Sequence, residues 1–220
     1  KKECNIMSQT TSKVRVLTEG AILVAMAVIL SLFQPFSLPF GGGITIASML
    51  PIVYYSWRRG IKAGLLAGFV FSVANILLGF HTVSAMFLPG DERQPLFNAI
   101  CIILLDYVVA YTVIGLGGMF RNKLKPTPAL MLGALVALSL RYLSHILSGY
   151  LFFGAWAEWF FTQDSIGAFG AYMLSHFSGN MLAFLYSVIY NGTYMIPEII
   201  ITVLLCLPIS QVKKLTERNS

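Results

Sequence analysis

The basic residues of this sequence fall into four clusters separated by long, almost uncharged stretches. Thirteen of the fifteen Lys and Arg residues belong to these clusters, which are Lys1, Lys2, Lys13 and Arg15; Arg58, Arg59 and Lys62; Arg121, Lys123 and Lys125; and Lys213, Lys214 and Arg218. Each intervening stretch is about 45 to 90 residues long, and a membrane helix needs about 20 apolar residues. Each stretch therefore has room for an outward and a returning membrane crossing.

The composition also places the chain in a membrane rather than in water. Apolar residues make up 57% of the 220 residues, charged residues make up only 11%, and the mean hydropathy is +0.76. Soluble domains hold about 45–50% apolar and about 25% charged residues, so this chain has too few charges to cover a water-exposed surface. These values exclude intrinsic disorder, a soluble nucleic-acid-binding protein and a disulfide-stapled secreted module.

The spacing predicts an all-α integral membrane protein with six transmembrane helices in a single membrane domain, residues 1–220. The predicted spans are about 17–34, 47–57, 61–80, 95–119, 127–156 and 181–209. The second is short, and we expect it to begin within the glycine run 41–43 or to pack as a half-buried segment. The positive-inside rule makes the basic clusters, and with them both termini, cytoplasmic. The first span is expected to be retained, because no cleavage pattern precedes it.

Ionisable residues inside the predicted spans are functional candidates, because a charge at membrane depth is costly. They are Asp106, Arg141, His145 and Glu198. Counted from the outer ends of their spans, Asp106 and His145 lie about 11 residues deep, and Tyr186 and Asn191 lie about 5 and 10 residues deep. These four side chains therefore share a layer roughly 8–17 Å below the outer surface, which predicts one pocket open to the outside.

The predicted pocket is rich in aromatic residues. Tyr107 follows Asp106, Tyr142 lies next to Arg141, and the outer end of the fifth span carries Phe152, Phe153, Trp156 and Trp159. A carboxylate among aromatic faces suits a planar cation, through charge pairing and cation–π contact. His145 and Asn191 can exchange hydrogen bonds with a heteroaromatic edge. The residues alone indicate a small, planar, cationic ligand.

Structural interpretations of the same residues stay open. Arg141 and His145 are four residues apart on one helical face, so Asp106 and Arg141 could form a structural ion pair. A neighbouring carbonyl group could satisfy His145, and the two tryptophans could be interfacial belt residues. Glu198, toward the inner half of the last span, is interpreted as structural or partner-facing.

Several small-residue patterns suit close approach of helices. Ala21 and Ala25 lie one turn apart in the first span, Gly60, Gly64 and Gly68 form a stripe along the third, and further glycines crowd the end of the fourth. The glycine run 41–43 lacks the following Lys-Ser/Thr of a nucleotide-binding loop, and the three cysteines lack metal or disulfide spacing. We predict no enzyme, no cofactor and no metal. A transport role would need an ion gradient or an energised partner.

Four stretches resemble one known family. They are LPIVYYSWRRGIKAG at 50–64, LDYVVAYTVIGLGG at 105–118, RYLSHILSGYLFFG at 141–154 and YSVIYNGTYMIP at 186–197. Together with the first span they are similar to the thiamine-specific substrate-binding (S) components of energy-coupling factor (ECF) transporters, the ThiT/YuaJ family. The resemblance implies a six-helix protein of the bacterial cell membrane that captures thiamine from outside. It also implies a partner, a transmembrane coupling protein bearing two cytoplasmic ATPases.

The resemblance assigns roles to single residues of the pocket. The family's acidic-Tyr pair falls on Asp106 and Tyr107, its pocket histidine falls on His145, and its Tyr-x4-Asn pair falls on Tyr186 and Asn191. These are positions that the depth argument also selects, together with the tyrosine next to Asp106.

Two further family features can be placed, and two depart from the pattern. The stacking aromatic falls on Phe153, with Trp156 close by, and the Ala-xxx-Ala docking motif falls on Ala21 and Ala25. The acidic position holds Asp where many members have Glu, and the outer segment 158–180 is longer than the family pattern.

Two other function classes stay open. One is a stand-alone proton-coupled transporter of a small cationic heteroaromatic solute, with Asp106, Arg141 and His145 as a proton relay. The other is an intramembrane enzyme in which His145 and Asp106 act as acid and base, although no nucleophile accompanies them.

Overall fold

The computed structural model describes residues 2–37, 42–90 and 92–212, which are mostly helical. The helices are α1 (Lys2–Ser31), α2 (Leu50–Arg59), α3 (Ile61–Leu78), α4 (Phe80–Ala85), α5 (Leu96–Gly118), α6 (Pro126–Phe152), α7 (Ala157–Phe161), α8 (Gly167–His176) and α9 (Gly179–Gln211). Strands β1 (Phe36–Ser37) and β2 (Gly43–Ile44) pair in antiparallel fashion. Lys1, Lys213, Lys214 and Arg218, and the side chain of Lys2, lie outside the described residues.

Five of the described helices are long and apolar enough to cross a membrane. They are α3, α5, α6, α9 and the segment Lys13–Ser31 of α1, and each lies within a few residues of a predicted span. The remaining prediction, 47–57, corresponds to α2, which has ten residues. Ten residues rise about 15 Å, half of a hydrocarbon core of about 30 Å. The count of six spans, and with it the placement of both termini, therefore stays a prediction.

α2 lies in the centre of the helix bundle and is not the half-buried segment that we expected. Eight of its residues, from Leu50 to Trp57, are buried. Pro51 lies in its first turn, where proline favours a helix start, and Gly60 ends it with a φ of +97°, a conformation that glycine adopts without strain. Tyr55 ties α2 to α1 by donating a hydrogen bond to the Val16 carbonyl at 3.0 Å.

Glycines bring α3 and α5 into backbone contact. A Cβ atom on Gly64 would lie 2.5 Å from the carbonyl oxygen of Gly115, and one on Gly115 would lie 2.3 Å from the carbonyl carbon of Gly64. Ser56 of α2 fastens this junction, because its Oγ donates to the Gly115 carbonyl and accepts from the Gly118 N–H at 2.9 Å. The small-residue patterns of the third and fourth spans therefore serve internal packing.

α5 changes its helical geometry as it crosses the bundle. Its middle, Ile103–Val109, is a π-helix, and its last part, Val113–Gly118, is a 3-10 helix. In the π segment, the Leu105 carbonyl accepts a hydrogen bond from Ser144 of α6 at 2.7 Å. The segment holds Asp106 and Tyr107, and π-bulges occur frequently at functional sites.

The two ends of the bundle differ in chemistry. At one end, Glu19 of α1 pairs with Arg58 at 2.6 Å and accepts a hydrogen bond from Nε of Arg59 at 2.9 Å. Arg121, from the turn after α5, lies against Gly60 at the same end. The second and third basic clusters therefore meet there. The opposite end carries the β-ribbon and the short helices α4, α7 and α8, the last two within an outer segment for which the sequence predicted no helix.

Candidate ligand-binding site

A cavity of about 170 Å³ lies between α3, α5, α6 and α9, toward the end of the bundle that carries the ribbon. All seven side chains that the sequence predicted as ligand contacts line it: Asp106, Tyr107, His145, Phe153, Trp156, Tyr186 and Asn191. They come from three different helices and the turn after α6. Counting residues from the span ends placed four of them, Asp106, His145, Tyr186 and Asn191, at one depth, and the helix packing closes all seven around one space.

Asp106 occupies the wall of the cavity with both carboxylate oxygens engaged. Its Oδ1 accepts from Nδ1 of His145 at 2.8 Å, and its Oδ2 accepts from Ser148 at 2.6 Å. Its side chain is still 21% exposed, and each carboxylate oxygen has more than one acceptor position. Asp106 can therefore accept a further hydrogen bond from a molecule inside the cavity.

His145 lies between Asp106 and Arg141 and links them. The Nε of Arg141 donates to Nε2 of His145 at 3.3 Å. Because a guanidinium can only donate, Nε2 is the acceptor and Nδ1 carries the proton that His145 gives to Asp106. A direct ion pair between Asp106 and Arg141, one of the structural interpretations, is not among the salt bridges of the described residues.

Arg141 is held by an aromatic face and a sulfur atom. Its guanidinium carbon lies 4.4 Å from the centre of the Tyr111 ring, and its Nη1 contacts the sulfur of Met49. The residue is 8% exposed and lines the cavity. Arg141 therefore lines the cavity itself and also holds His145, its neighbour in the cavity wall, in place.

Asn191 joins α9 to α6 at the level of His145. Its amide nitrogen donates to the carbonyls of His145 at 3.2 Å and Ser187 at 2.9 Å, and its Oδ1 accepts from Tyr194 at 2.6 Å. Most of its hydrogen-bonding capacity is thus used within the protein. The contribution of Asn191 is chiefly to position neighbouring side chains along the cavity wall.

The α7 helix packs behind the aromatic wall of the cavity. The ring of Phe160 lies 5.2 Å from that of Tyr186 and 5.9 Å from that of Tyr190, both at steep edge-on angles. Trp156 reaches the cavity through the 3-10 turn Gly154–Trp156 that follows α6. The outer segment that departs from the family pattern therefore supports the site directly.

Several cavity residues were missed by the sequence reasoning. They are Gln34, Asn75, Glu92, Tyr111, Tyr190 and Tyr194, among others. One signal was present, because Tyr186, Tyr190 and Tyr194 follow one another at a spacing of four and so share a helical face. Polar loop residues such as Gln34 and Glu92 carry no such periodic signal.

Glu198, which the sequence indicated as structural or partner-facing, has a structural role and in addition lines the cavity. It is 2% exposed, and its Oε1 accepts from both the N–H and the hydroxyl of Thr45 at 2.5 Å each. Its Oε2 is buried and makes no hydrogen bond within the described residues. Glu198 thus fastens the segment before α2 to α9 and brings a second carboxyl group to the site.

The cavity lining is acidic and aromatic. Its charged members in the described part of the chain are three carboxyl groups, Glu92, Asp106 and Glu198, and one guanidinium, Arg141. Aromatic rings of five tyrosines, Phe153 and Trp156 make up much of the remaining wall. Such a lining favours a cation with a planar ring. The described residues hold no group of three or more His, Cys, Asp or Glu side chains arranged for a metal ion.

Ala21 and Ala25 lie away from this cavity, on the outer face of α1. Both are exposed, and the neighbouring side chains of Leu17, Ile22 and Met26 are 64%, 57% and 47% exposed. Among the residues that the structure describes, none covers this apolar face of α1 along about three turns.

These features define a multi-pass helical membrane protein with a deep polar and aromatic cavity, the architecture of a protein that binds or moves a small solute. A family model described as thiamine transporter protein (Thia_YuaJ) matches residues 17–159. The chain is also 32% identical to the thiamine transporter ThiT of Bacillus subtilis over 214 residues, which is 91% of this chain and 93% of that protein. The chain therefore belongs to the Thia_YuaJ family, which confirms the family predicted from the sequence.

Two other proteins extend the comparison. The thiamine transporter ThiT of Lacticaseibacillus paracasei is 25% identical over 156 residues, covering 64% of this chain and 70% of that protein. The solved structure of ThiT from Listeria monocytogenes superposes with a TM-score of 0.64 at 20% identity, over 93% of this chain and 98% of that one. That likeness confirms the all-α fold. The relatives are named for transport, which is not a catalytic role.

Proposed function

We propose that this chain is the thiamine-binding S-component of an ECF-type importer in the bacterial cell membrane, and that the cavity around Asp106 holds thiamine. The observation that carries the proposal is the convergence of seven predicted contacts on one cavity, in a chain that belongs to a thiamine transporter family. Membership of the family supports thiamine as the ligand, and the cavity lining supports this cavity as its binding site.

The chemistry of thiamine matches the lining. The molecule joins an aminopyrimidine to a permanently cationic thiazolium ring. Asp106 accepts a hydrogen bond from the amino group and Tyr186 orients the pyrimidine edge, while His145, whose two ring nitrogens are engaged by Asp106 and Arg141, holds the carboxylate in position. The cationic thiazolium ring then lies among the aromatic faces of Tyr107, Phe153 and Trp156. Cation–π attraction to these faces is worth about 0.5–2 kcal/mol. The acidic excess of the lining favours the cation over a neutral analogue.

Capture and energy supply are divided between different proteins in this proposal. The described chain is a helix bundle with little mass outside its long helices, and its sequence contains no nucleotide-binding loop. A transmembrane coupling protein with two cytoplasmic ATPases would supply the energy and would dock on the exposed face of α1 at Ala21 and Ala25. The basic end of the bundle is cytoplasmic and the cavity end faces outward, as the positive-inside rule requires.

Thiamine titration of the purified chain, followed by tryptophan fluorescence, tests the proposal. We expect saturable quenching with one thiamine per chain in the absence of any ATPase. Uridine, a neutral heteroaromatic compound of similar size, is the control ligand and should leave the fluorescence unchanged. An absence of saturable binding would overturn the proposal.

A second candidate is a stand-alone proton-coupled transporter, favoured by the continuous chain from Asp106 through His145 to Arg141. Uptake by vesicles that contain only this chain distinguishes the two. Uptake that an uncoupler abolishes would support the proton-coupled mechanism. Binding without uptake supports the S-component.

A further inference from the structure

A second concave site lies at the end of the bundle opposite the cavity. It has a volume of about 420 Å³ and is formed by residues 59–62, at the junction of α2 and α3, and by residues 118, 119 and 121–123, after α5. Four of its residues are basic: Arg59, Lys62, Arg121 and Lys123. Within the described part of the chain no acidic residue lines it. We call this site the basic cleft.

The backbone around the basic cleft is fixed before any ligand arrives. Nη1 of Arg121 lies 2.7 Å from the position that a Cβ atom on Gly60 would take. The guanidinium thus crosses the start of α3 directly over Gly60, whose φ of +97° is a conformation that favours glycine. Ser56 binds the Gly118 N–H at 2.9 Å, and the turn beyond it is closed by Arg121 N–H donating to the Gly118 carbonyl at 3.1 Å. The two walls are thus joined to each other.

Positive charge outweighs negative charge at this end. Glu19 is shared between Arg58 and Arg59, so one carboxylate faces two guanidinium groups. Lys62 and Lys123 are both exposed and border the cleft. Clusters of Lys and Arg at the cytoplasmic ends of membrane helices attract anionic phosphate headgroups.

The surface next to the basic cleft suits an acyl chain. Lys62 shares one helical face with Leu66, Phe69 and Val73, at spacings of four, seven and eleven residues. These three apolar side chains are 58%, 46% and 41% exposed. One leaflet of the hydrocarbon core is about 15 Å thick, which corresponds to about ten residues of helix. An acyl chain whose headgroup lies at Lys62 would therefore extend to about the level of Val73. A soluble anion would gain nothing from this row.

We propose that the basic cleft binds the phosphate headgroup of an anionic phospholipid, with one acyl chain lying along the exposed face of α3. The site is separate from the cavity. Asn75, which lines the cavity, is 14 residues beyond Ile61 on the same helix, about 21 Å away. The proposal therefore does not depend on the identity of the solute.

Native mass spectrometry of the full chain in detergent tests the proposal, with dioleoyl phosphatidylglycerol and dioleoyl phosphatidylcholine as probes. We expect the anionic lipid to bind at least about tenfold more tightly, and the double variant Lys62→Gln with Lys123→Gln to lose about tenfold in that affinity. The matched control, Lys13→Gln with Lys125→Gln, removes two exposed charges outside the cleft. This control should retain the wild-type affinity for the anionic lipid. Far-UV circular dichroism and the thermal midpoint, expected to be unchanged in both double variants, report that they are folded.

Each alternative has its own outcome. Equal affinity for the two lipids, or an equal loss in both double variants, would overturn the proposal in favour of general surface charge. Displacement of the anionic lipid by millimolar inorganic phosphate or glycerol 3-phosphate would overturn it in favour of a soluble anion. A cleft that binds neither lipid and is instead covered by an acidic protein surface of a partner would also overturn it.

Discussion

Trp156 is the tryptophan placed to report what enters the cavity. It lines the cavity, whereas Trp57 is 1% exposed in the core around α2. The ring of Trp159 lies 5.8 Å from that of Trp156 but is 41% exposed on the outer segment. The three tryptophans therefore have three distinct surroundings, which makes their fluorescence separable.

The substitution Trp156→Phe should remove most of the thiamine-induced fluorescence quenching, because the indole nearest the ligand is lost. Calorimetric binding should persist with reduced affinity, since a phenyl ring keeps an aromatic face. Trp159→Phe is the control and should keep the quenching. Quenching that survives Trp156→Phe and disappears with Trp159→Phe would place the ligand on the outer segment instead.

Glu198 should hold the segment before α2 in place. Its Oε1 accepts two hydrogen bonds from Thr45, and hydrogen bonds to a charged group are worth about 1.5–3 kcal/mol. Glu198→Ala should therefore speed amide hydrogen exchange at Thr45 by about tenfold or more. Glu198→Gln, which keeps an acceptor oxygen, should change this rate much less. Equal exchange rates in wild type and Glu198→Ala would refute this role.

At the scale of single residues, the rarity of polar groups at membrane depth made the site predictable. A carboxylate or an amide stands out in an apolar sequence, so Asp106, His145 and Asn191 could be selected without a structure. Their supports could not be selected, because Ser148 and Ser144 are ordinary in a membrane helix and their partners lie about 40 residues away. The sequence did not place Glu198 at the cavity, because it does not show that the chain before α2 folds back against α9.

Among the elements, the contact between α3 and α5 is the most sensitive to added volume. Gly64→Ala would put a methyl group 2.3 Å from the Cβ of Ser56 and 2.5 Å from a backbone oxygen. We expect a loss of at least about 1–3 kcal/mol in the free energy of unfolding, seen as a drop of several degrees in the thermal midpoint. Val70→Ala, on the exposed face of the same helix, should have little effect. A Gly64→Ala midpoint equal to that of Val70→Ala would contradict the packing.

The α1 helix carries the proposed docking surface. Ala21→Leu combined with Ala25→Leu should abolish thiamine uptake by cells that contain the coupling protein, because two added side chains hold the partner helix away. Thiamine binding by the purified variant should be unchanged, since α1 is exposed at both positions. The control, Ile22→Leu with Met26→Leu, keeps the bulk of the same face. Normal uptake by the alanine variant would exclude this face as the docking site.

Periodicity and charge spacing predicted the long helices but not the departures from regular geometry. α3, α5, α6 and α9 begin and end close to their expected positions, because apolar length is itself the constraint on a membrane helix. α2 is shorter than a span because it begins only at Leu50 and Gly60 ends it, and its burial depends on packing by other helices. The π segment Ile103–Val109 was not predicted from the sequence, and within it the Leu105 carbonyl accepts a hydrogen bond from Ser144 of α6.

For the whole molecule, the separation of charge organises both sites. Basic residues gather at one end, in the basic cleft, and carboxyl groups line the cavity near the other. The distribution of basic residues that predicts the orientation in the membrane thus keeps positive charge away from the opposite end, where carboxyl groups can bind a cationic solute. Net charge alone, +6 over the whole chain, hides this division, which only the positions of the charges reveal.

Isothermal titration of thiamine into the double variant Asp106→Asn with His145→Ala tests the central claim most directly. The variant removes the charged acceptor and its hydrogen-bond partner from the cavity wall, so we expect a loss of about 100-fold or more in affinity relative to wild type. Glu158→Gln, a change in the outer segment outside the cavity lining, should bind as wild type does. An affinity for thiamine that is the same in wild type and in the double variant would contradict the assignment of this cavity as the binding site.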